Sequence, residues 1–297
     1  MSIERTGVFT IAGRPNVGKS TLANRIAGEK IAIVSHKPQT TRGRIAAICT
    51  RGDAQLVFMD TPGYHKAKNA LDDYMDRVVE TTVADGMDAV ILMAEPIPNV
   101  GKQEADLIRM IAAARAPAIL AINKCDTVKK PELLAVMDAY ARAGSFAEIV
   151  PISARTGEGV EELLSLLREY TQEGPQLFPD DMVTDQPDRQ IVAEIVREKL
   201  LYCLEKEIPH GTAVEVTRFT ERDSGVIDLE VTIYCEKASH KSIIIGKGGA
   251  MLRRIGEMAR RDVERYMGTR VYLQSWVKVK ENWRDRTAML RNFGYHE

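Results

Sequence analysis

Eight residues constrain this chain more than any others: Gly13-Arg14-Pro15-Asn16-Val17-Gly18-Lys19-Ser20. They fit the pattern GxxxxGK[ST] and stand between a short apolar run, Gly7–Ala12, and a stretch of helical periodicity, Lys19–Ala27. Glycines in that setting let backbone N–H groups curl around phosphate oxygens, and the helix N-terminus adds partial positive charge. Lys19 is expected to reach the β- and γ-phosphates of a nucleotide, and Ser20 to ligate Mg2+.

The rest of the first 170 residues agrees with a strand-loop-helix of this kind. Ile45–Cys49 and Leu56–Met59 are short β-type runs. Ala89–Met93 and Ala118–Ile122 are continuous apolar runs of strand length, as central strands covered on both faces require. Gln103–Ala114, Glu132–Ala143 and Val160–Tyr170 carry helical periodicity, and Ala147–Pro151 reads as a last strand. The order β-α-β-β-α-β-α-β-α-β-α predicts an α/β domain, a mostly parallel sheet with helices on both faces.

Residues 171–188 break the pattern with three prolines, a glycine and four aspartates. Beyond them Ile191, Val192, Ile195, Val196, Leu200 and Leu204 repeat at helical spacing. Two strands are expected at Ala213–Thr220 and Val226–Cys235, joined by a turn at 221–225. A short helical piece, a glycine cluster, a helix over Ala250–Met267, a strand over Arg270–Val277 and a last helix complete an α-β-β-α-α-β order. The expected division is therefore 1–172, a linker at 173–188, and a second domain at 189–297.

Charge separates the two ends. The net charge is −1, yet residues 237–297 hold 14 Lys and Arg against 6 Asp and Glu, a surplus suited to a polyanion. The four cysteines lie far apart without a CxxC pair, which argues for a reducing compartment and against a disulfide framework or zinc site. The N-terminal residues lack a signal-like apolar core, and no apolar run approaches membrane-spanning length, so a cytoplasmic location is expected.

Three further motifs follow strands. Asp60-Thr61-Pro62-Gly63 places a carboxylate at a strand end, where it can hold Mg2+ through water, and the Gly63 amide can bond a γ-phosphate. Asn123-Lys124-Cys125-Asp126 offers a carboxylate, Asp126, to the ring N–H and exocyclic amine of guanine, a donor pair adenine lacks. Ser153-Ala154 supplies a backbone N–H for the guanine carbonyl. Each motif alone suits an ordinary turn or cap. Four in order at strand ends form one site at the ligand-binding edge of such a sheet. Thr40-Thr41-Arg42 lies in a segment with the character of a mobile loop, where a threonine could ligate Mg2+ and sense the γ-phosphate.

The set GRPNVGKS, QTTR, DTPG, NKCD and SAR resembles the translation-factor-related GTPases and, within them, the Era family. The resemblance implies GTP and GDP as ligands and Thr41 as a Mg2+ ligand, with Thr40 the alternative. It implies a hydrophobic residue after DTPG, here Tyr64, where Ras-like proteins carry a water-orienting glutamine. Asn16 matches an asparagine that in related GTPases helps bind K+, an ion that can stand in for an arginine finger. Lys19, Thr41, Gly63 and Asn16 are thus the expected catalytic set. No base is legible, and the neighbouring His65 is expected as a solvent-exposed loop residue.

Ile243-Ile244-Ile245-Gly246-Lys247-Gly248-Gly249 is a GxxG loop entering a helix that carries Arg253, Arg254, Arg260, Arg261 and Arg265. Within an α-β-β-α-α-β order this resembles a type II KH domain, whose loop clamps the backbone of single-stranded RNA. Ile245 to Gly249 with Arg253 and Arg254 are the expected RNA contacts. A GTPase domain followed by a KH domain is the Era architecture. The family implies a monomeric ribosome-assembly GTPase. It implies binding to the 3′ end of 16S ribosomal RNA on the 30S subunit precursor, a role in 16S rRNA processing, and weak contact with the inner membrane. The rival expectations are an adenylate-using P-loop ATPase and an RNA-binding module whose nucleotide site is structural.

Overall fold

The computed structural model describes residues 3–85 and 87–295; the outermost ends of both expected domains lie outside them. Contacts divide the described chain into two compact units, one running to Lys68 and over Asp72–Asp185, the other comprising Asn69–Leu71 and the chain from Gln186 onward.

The first unit is organised by β1 (Arg5–Gly13), which lies in the middle of its sheet. The neighbouring strands are β2 (Ile45–Arg51), β3 (Ala54–Asp60), β4 (Ala89–Ala94), β5 (Ala118–Ile122) and β6 (Glu148–Pro151), in the spatial order β2-β3-β1-β4-β5-β6. All neighbours run parallel except β2, which pairs antiparallel with β3. Every residue of β4 and β5 is buried, which explains their unbroken apolar sequences: helices cover both faces. On one face α1 (Lys19–Ala27) and α5 (Val160–Glu169) contribute Leu22, Ile26, Leu163 and Leu167 to a core with Phe9, Ile11 and Phe58. On the other, α2 (Ala70–Ala84), α3 (Lys102–Ala114) and α4 (Lys130–Ala143) supply Val79, Leu107, Ile111 and Tyr140 to a core with Leu92 and Leu120. Strand order reverses at β1, so its C-terminal end opens on the crevice where such sheets bind ligands.

The segment expected as a linker from residue 173 is held by the first unit as far as Asp185. A two-residue strand, β7 (Gln172–Glu173), pairs with Arg5 and Thr6, the part of β1 below the start of β4. The fully buried Gln55 then acts like backbone: its Oε1 accepts the N–H groups of Leu177 and Phe178 at 2.9 Å each, and its Nε2 donates to the Phe178 carbonyl at 2.9 Å. Farther along, Ile48 N–H donates to the Val183 carbonyl at 2.9 Å and Ala46 N–H to Asp185 Oδ1 at 3.1 Å. The strap satisfies edge donors of β2, and Phe178 packs on Ala46, Ile48 and Val57. Polar, proline-rich residues here line a sheet edge rather than a solvated tether.

The second unit contains α6 (Asp188–Cys203), β8 (Ala213–Glu221), β9 (Ile227–Cys235), α7 (Ala238–Ile245), α8 (Ala250–Met267), β10 (Val271–Val279) and α9 (Thr287–Asn292). Its sheet has the order β10-β9-β8, with β8 antiparallel and β10 parallel to β9. Val196 and Leu200 of α6 and Ile255 and Ala259 of α8 pack on Val231 and Ile233. The expected α-β-β-α-α-β order is observed, with boundaries differing by one or two residues.

Candidate functional site

At the end of β1 the chain turns through Gly13–Gly18 into α1. Gly18 has φ +105°, and a Cβ there would lie 2.1 Å from Asn123 Nδ2. Only glycine meets both conditions. Lys19 is buried, and its Nζ donates to the carbonyls of Gly13 at 3.1 Å and Arg14 at 2.9 Å. Desolvation lowers its pKa to about 8, against the opposing charge of Asp60. The ammonium is therefore curled over the loop that would receive phosphates.

Three oxygen-bearing side chains from three elements meet next to it. Ser20 Oγ lies 2.9 Å from Asp60 Oδ2 and 2.7 Å from Thr41 Oγ1, and Thr41 Oγ1 donates to the same Oδ2 at 3.3 Å. The other Asp60 oxygen, Oδ1, is buried without a hydrogen-bond partner. Burial pushes the Asp60 carboxyl up to about 6, while Lys19, Ser20 and Thr41 pull it down. An unpaired buried carboxylate oxygen beside two hydroxyls fits a small, hard cation such as Mg2+. Of the two candidate threonines, Thr41 is the one that reaches this cluster.

Asp60 ends β3, and the residues after it return to the phosphate loop. Thr61 Oγ1 donates to the Ile11 carbonyl at 2.7 Å, and Tyr64 N–H donates to the Gly13 carbonyl at 3.2 Å. A Cβ on Gly63 would stand 2.7 Å from Pro15 Cα and N, so glycine here permits two backbones to touch. Asn16 has φ +65°; its Nδ2 donates to the His36 carbonyl at 3.0 Å.

The other end of the site is built around Asn123. Its Nδ2 donates to the Val17 carbonyl at 2.7 Å, and its Oδ1 accepts the Ala154 N–H at 2.8 Å. Lys124 Nζ donates to the Asn16 carbonyl at 3.0 Å and pairs with Glu95. Cys125 N–H donates to the Ile152 carbonyl at 3.1 Å. Asp126 pairs with Arg155 at 2.5 Å, and hydrogen bonds from Ser153 and Arg155 hold its carboxyl below the usual range. An ionised Asp126 is the acceptor that guanine requires. The phosphate loop, Asp60–Gly63, Thr41, Asn123–Asp126 and Ser153–Ala154 are thus brought to one sheet edge.

Sequence reasoning missed three supports. Arg25 on α1 donates from Nε to the Ala154 carbonyl at 2.6 Å, fixing the loop that carries Ser153 and Ala154. Glu95 accepts from Lys124 and lies 3.4 Å from an Arg14 nitrogen. As a lone carboxylate just past an apolar strand, it carried the same positional signal as Asp60. His65 is not the exposed loop residue expected: its side chain is only 15% exposed and lies between Asp72 and Asp76. Nothing local in the sequence announced those partners, which α2 supplies one turn apart.

In the second unit the GxxG loop joins α7 to α8. Gly246 has φ +73°, and a Cβ there would lie 2.7 Å from Met251 Cβ, whereas Gly248 and Gly249 face open space. Ile245 is half-buried; Lys247, Arg253 and Arg254 are exposed. Arg260 pairs with Glu264 and Arg265 with Asp262, while no ion pair among the described residues engages Arg253 or Arg254. The two arginines nearest the loop leave their charge available to a polyanion.

The family described as 50S ribosome-binding GTPase matches residues 8–124, and the KH domain matches residues 207–284. A curated relative named GTPase Era, from Ruminiclostridium cellulolyticum, is 46% identical over 291 residues, covering 98% of this chain and 97% of its own. Another of that name, from Alkaliphilus oremlandii, is 48% identical over 292 residues, covering 98% and 99%. Among solved structures, Era in complex with MgGDPNP and nucleotides 1506–1542 of 16S ribosomal RNA matches with TM-score 0.95 at 35% identity, covering 99% of this chain and all of that one. A variant of Aquifex aeolicus Era bound to GDP·AlF4− matches with TM-score 0.94 at 35% identity and the same coverage. The expected architecture, a P-loop GTPase fold followed by a KH domain, is borne out.

Proposed function

This chain belongs to the Era family of GTPases, and on that premise we propose that its KH domain binds the 3′ region of 16S ribosomal RNA under control of the guanine nucleotide held by its first unit. Hydrolysis of GTP to GDP and phosphate is the activity of the family and of this chain. The observation that carries the reading is the convergence of the Ser20 and Thr41 hydroxyls on one oxygen of Asp60, whose other oxygen is buried without a partner, beside Lys19.

Ser20, Thr41 and Asp60 hold Mg2+, which when bound neutralises charge developing on the β- and γ-phosphates. Residues Gly13–Ser20 wrap the phosphates with backbone N–H groups, and Lys19 turns from the loop carbonyls to the nucleotide. Thr41 and the Gly63 amide report the γ-phosphate, and their release after hydrolysis is the switch. Asp126 and the Ala154 N–H select guanine. Asn16 holds K+ in the part of an arginine finger; its left-handed backbone and its bond to the His36 carbonyl join the phosphate loop to the segment before Thr40.

Residues Ile245–Gly249 with Arg253 and Arg254 clamp the RNA backbone, supported by the open approach to Gly248 and the unpaired arginines. The RNA partner sets the process: assembly of the small ribosomal subunit on its 30S precursor, with 16S rRNA processing. We assign residues 1–172 to the nucleotide domain, 173–188 to the connection, which is docked on the first unit as far as Asp185, and 189–297 to the RNA domain. A cytoplasmic, monomeric protein with weak inner-membrane contact completes the reading. Among the described residues no helix is long and apolar enough to cross a membrane.

The test is titration of single-stranded 3′-terminal 16S RNA into the GTP-analogue and GDP forms of wild type and Gly248→Asp. Aspartate tolerates the φ of +58° at this position, and nothing lies within 4 Å of the new Cβ. The variant therefore folds but sets negative charge where phosphate approaches. Nucleotide-dependent affinity that Gly248→Asp abolishes supports the proposal. Equal affinity in both nucleotide states favours a passive RNA-binding module.

A further inference from the structure

Two residues before Thr41, Gln39 holds φ at +61°, a region that costs a residue with a side chain roughly 1–3 kcal/mol unless its surroundings fix it. The fixing contact is visible. Gln39 Nε2 donates to Asp72 Oδ1 at 2.7 Å. Asp72 is buried in the first turn of α2, and its other oxygen accepts the Lys68 N–H at 3.1 Å. His65, two residues past Gly63, completes the cluster. Its Nε2 lies 3.5 Å from Asp72 Oδ1, and its Nδ1 and backbone N–H lie 3.3 Å from Asp76 Oδ1.

The donor inventory fixes the orientation of each group. Turning the Gln39 amide over would press its oxygen against a buried carboxylate, so the NH2 faces Asp72. The imidazole lies between two carboxylates, and only the doubly protonated ring donates to both. The side chains of Gln39 and His65, 3.1 Å apart, are therefore two donors converging on one acceptor oxygen rather than partners of each other. Neither Asp72 nor Gln39 belongs to the cluster around Asp60.

We infer that Gln39 is a positioning residue for GTP: through Asp72 it ties the loop carrying Thr41 to the segment following Gly63, so that the two γ-phosphate sensors move as one body. The inference rests on the GTPase reading of the site. It explains why a strained residue precedes Thr41, whose hydroxyl already points at Ser20 and Asp60. The tie costs binding energy when lost only where the nucleotide uses both loops, which GTP does and GDP does not.

The experiment measures affinity of the full chain for GDP and for a non-hydrolysable GTP analogue, with kcat and KM for GTP. Gln39→Ala is expected to weaken the analogue about ten- to a hundredfold, the worth of one hydrogen bond to a charged acceptor, while GDP affinity stays within about twofold. Gln39→Gly, which relieves the backbone strain, is expected to lose as much. Gln39→Glu alone sets two carboxylates together and loses more, and Gln39→Glu with Asp72→Asn restores a donor–acceptor pair with reversed polarity and recovers the analogue preference. A wild-type ratio of analogue to GDP affinity in Gln39→Ala overturns the inference. Recovery by Gln39→Gly assigns the effect to strain and overturns it too. Failure of the wild type to bind or hydrolyse GTP would instead overturn the functional reading beneath it.

Discussion

Replacing Asn123 by alanine cuts the site at its hinge between phosphate and base. The side chain makes two buried bonds, Nδ2 to the Val17 carbonyl at 2.7 Å and Oδ1 from the Ala154 N–H at 2.8 Å. Removing it leaves a buried acceptor and a buried donor, each costing about 1–3 kcal/mol when unsatisfied. Entry of a water offsets part of this, leaving a loss of about 3 kcal/mol, or roughly a hundredfold in an equilibrium constant. If the two loops hold their places without nucleotide, the loss appears as a lower melting temperature. If nucleotide organises them, it appears as weaker binding. Release of fluorescent GDP and GTP analogue by stopped flow, together with thermal unfolding, captures the sum. Both nucleotides should suffer equally, because Asn123 touches neither Thr41 nor Gly63. An unchanged melt with release accelerated less than about threefold, or a loss confined to the GTP analogue, would refute this reasoning.

Asp126→Asn should shift preference from GTP toward XTP, because an amide donor then faces the xanthine carbonyl; retained GTP preference in competition binding removes Asp126 from base selection. Steady-state hydrolysis should run faster in K+ than in Na+ if Asn16 holds that ion, and equal rates would dismiss the potassium role. Stability should also vary with pH through His65, whose pKa is raised to about 9 by the hydrogen bonds its ring donates to Asp72 and then Asp76, against desolvation. A raised folded-state pKa stabilises fully below the ordinary value of 6.5 and fades as pH rises through 9. Melting curves of wild type and His65→Gln should therefore converge over that window, and a constant gap between them would contradict the assignment.

The parts of the site that were legible in sequence are those in which a short stretch of chain does the chemistry. Gly13–Ser20, Asp60–Gly63 and Asn123–Asp126 each follow an apolar strand, and the strand alone fixes where such residues emerge. Supports reached across the fold left no such trace. Gln55 reads as one polar residue in a strand, and its three bonds go to residues more than 120 positions away. Arg25 resembles any basic residue in the last turn of a helix until its contact with Ala154 is seen. His65 lacks meaning without α2, whose acidic first half masks its apolar face. The docking of residues 173–185 on the first unit left no trace for a related reason: proline and aspartate mark irregular backbone, and irregular backbone can be docked as readily as it can be free.

That docking decides where the molecule can be divided. A fragment ending at residue 172 would keep every nucleotide motif but lose the strap over β2. The N–H groups of Ala46 and Ile48 would then lack their partners, and Ala46, Ile48 and Val57 would be stripped of Phe178. An open strand with an apolar face beside it is a template for another copy, so such a fragment would self-associate and its hydrolysis would fall with time and concentration. A fragment carried on to Asp185 would keep its own edge closed. Residues 173–185, which look most dispensable, are thus the ones that make the catalytic half separable.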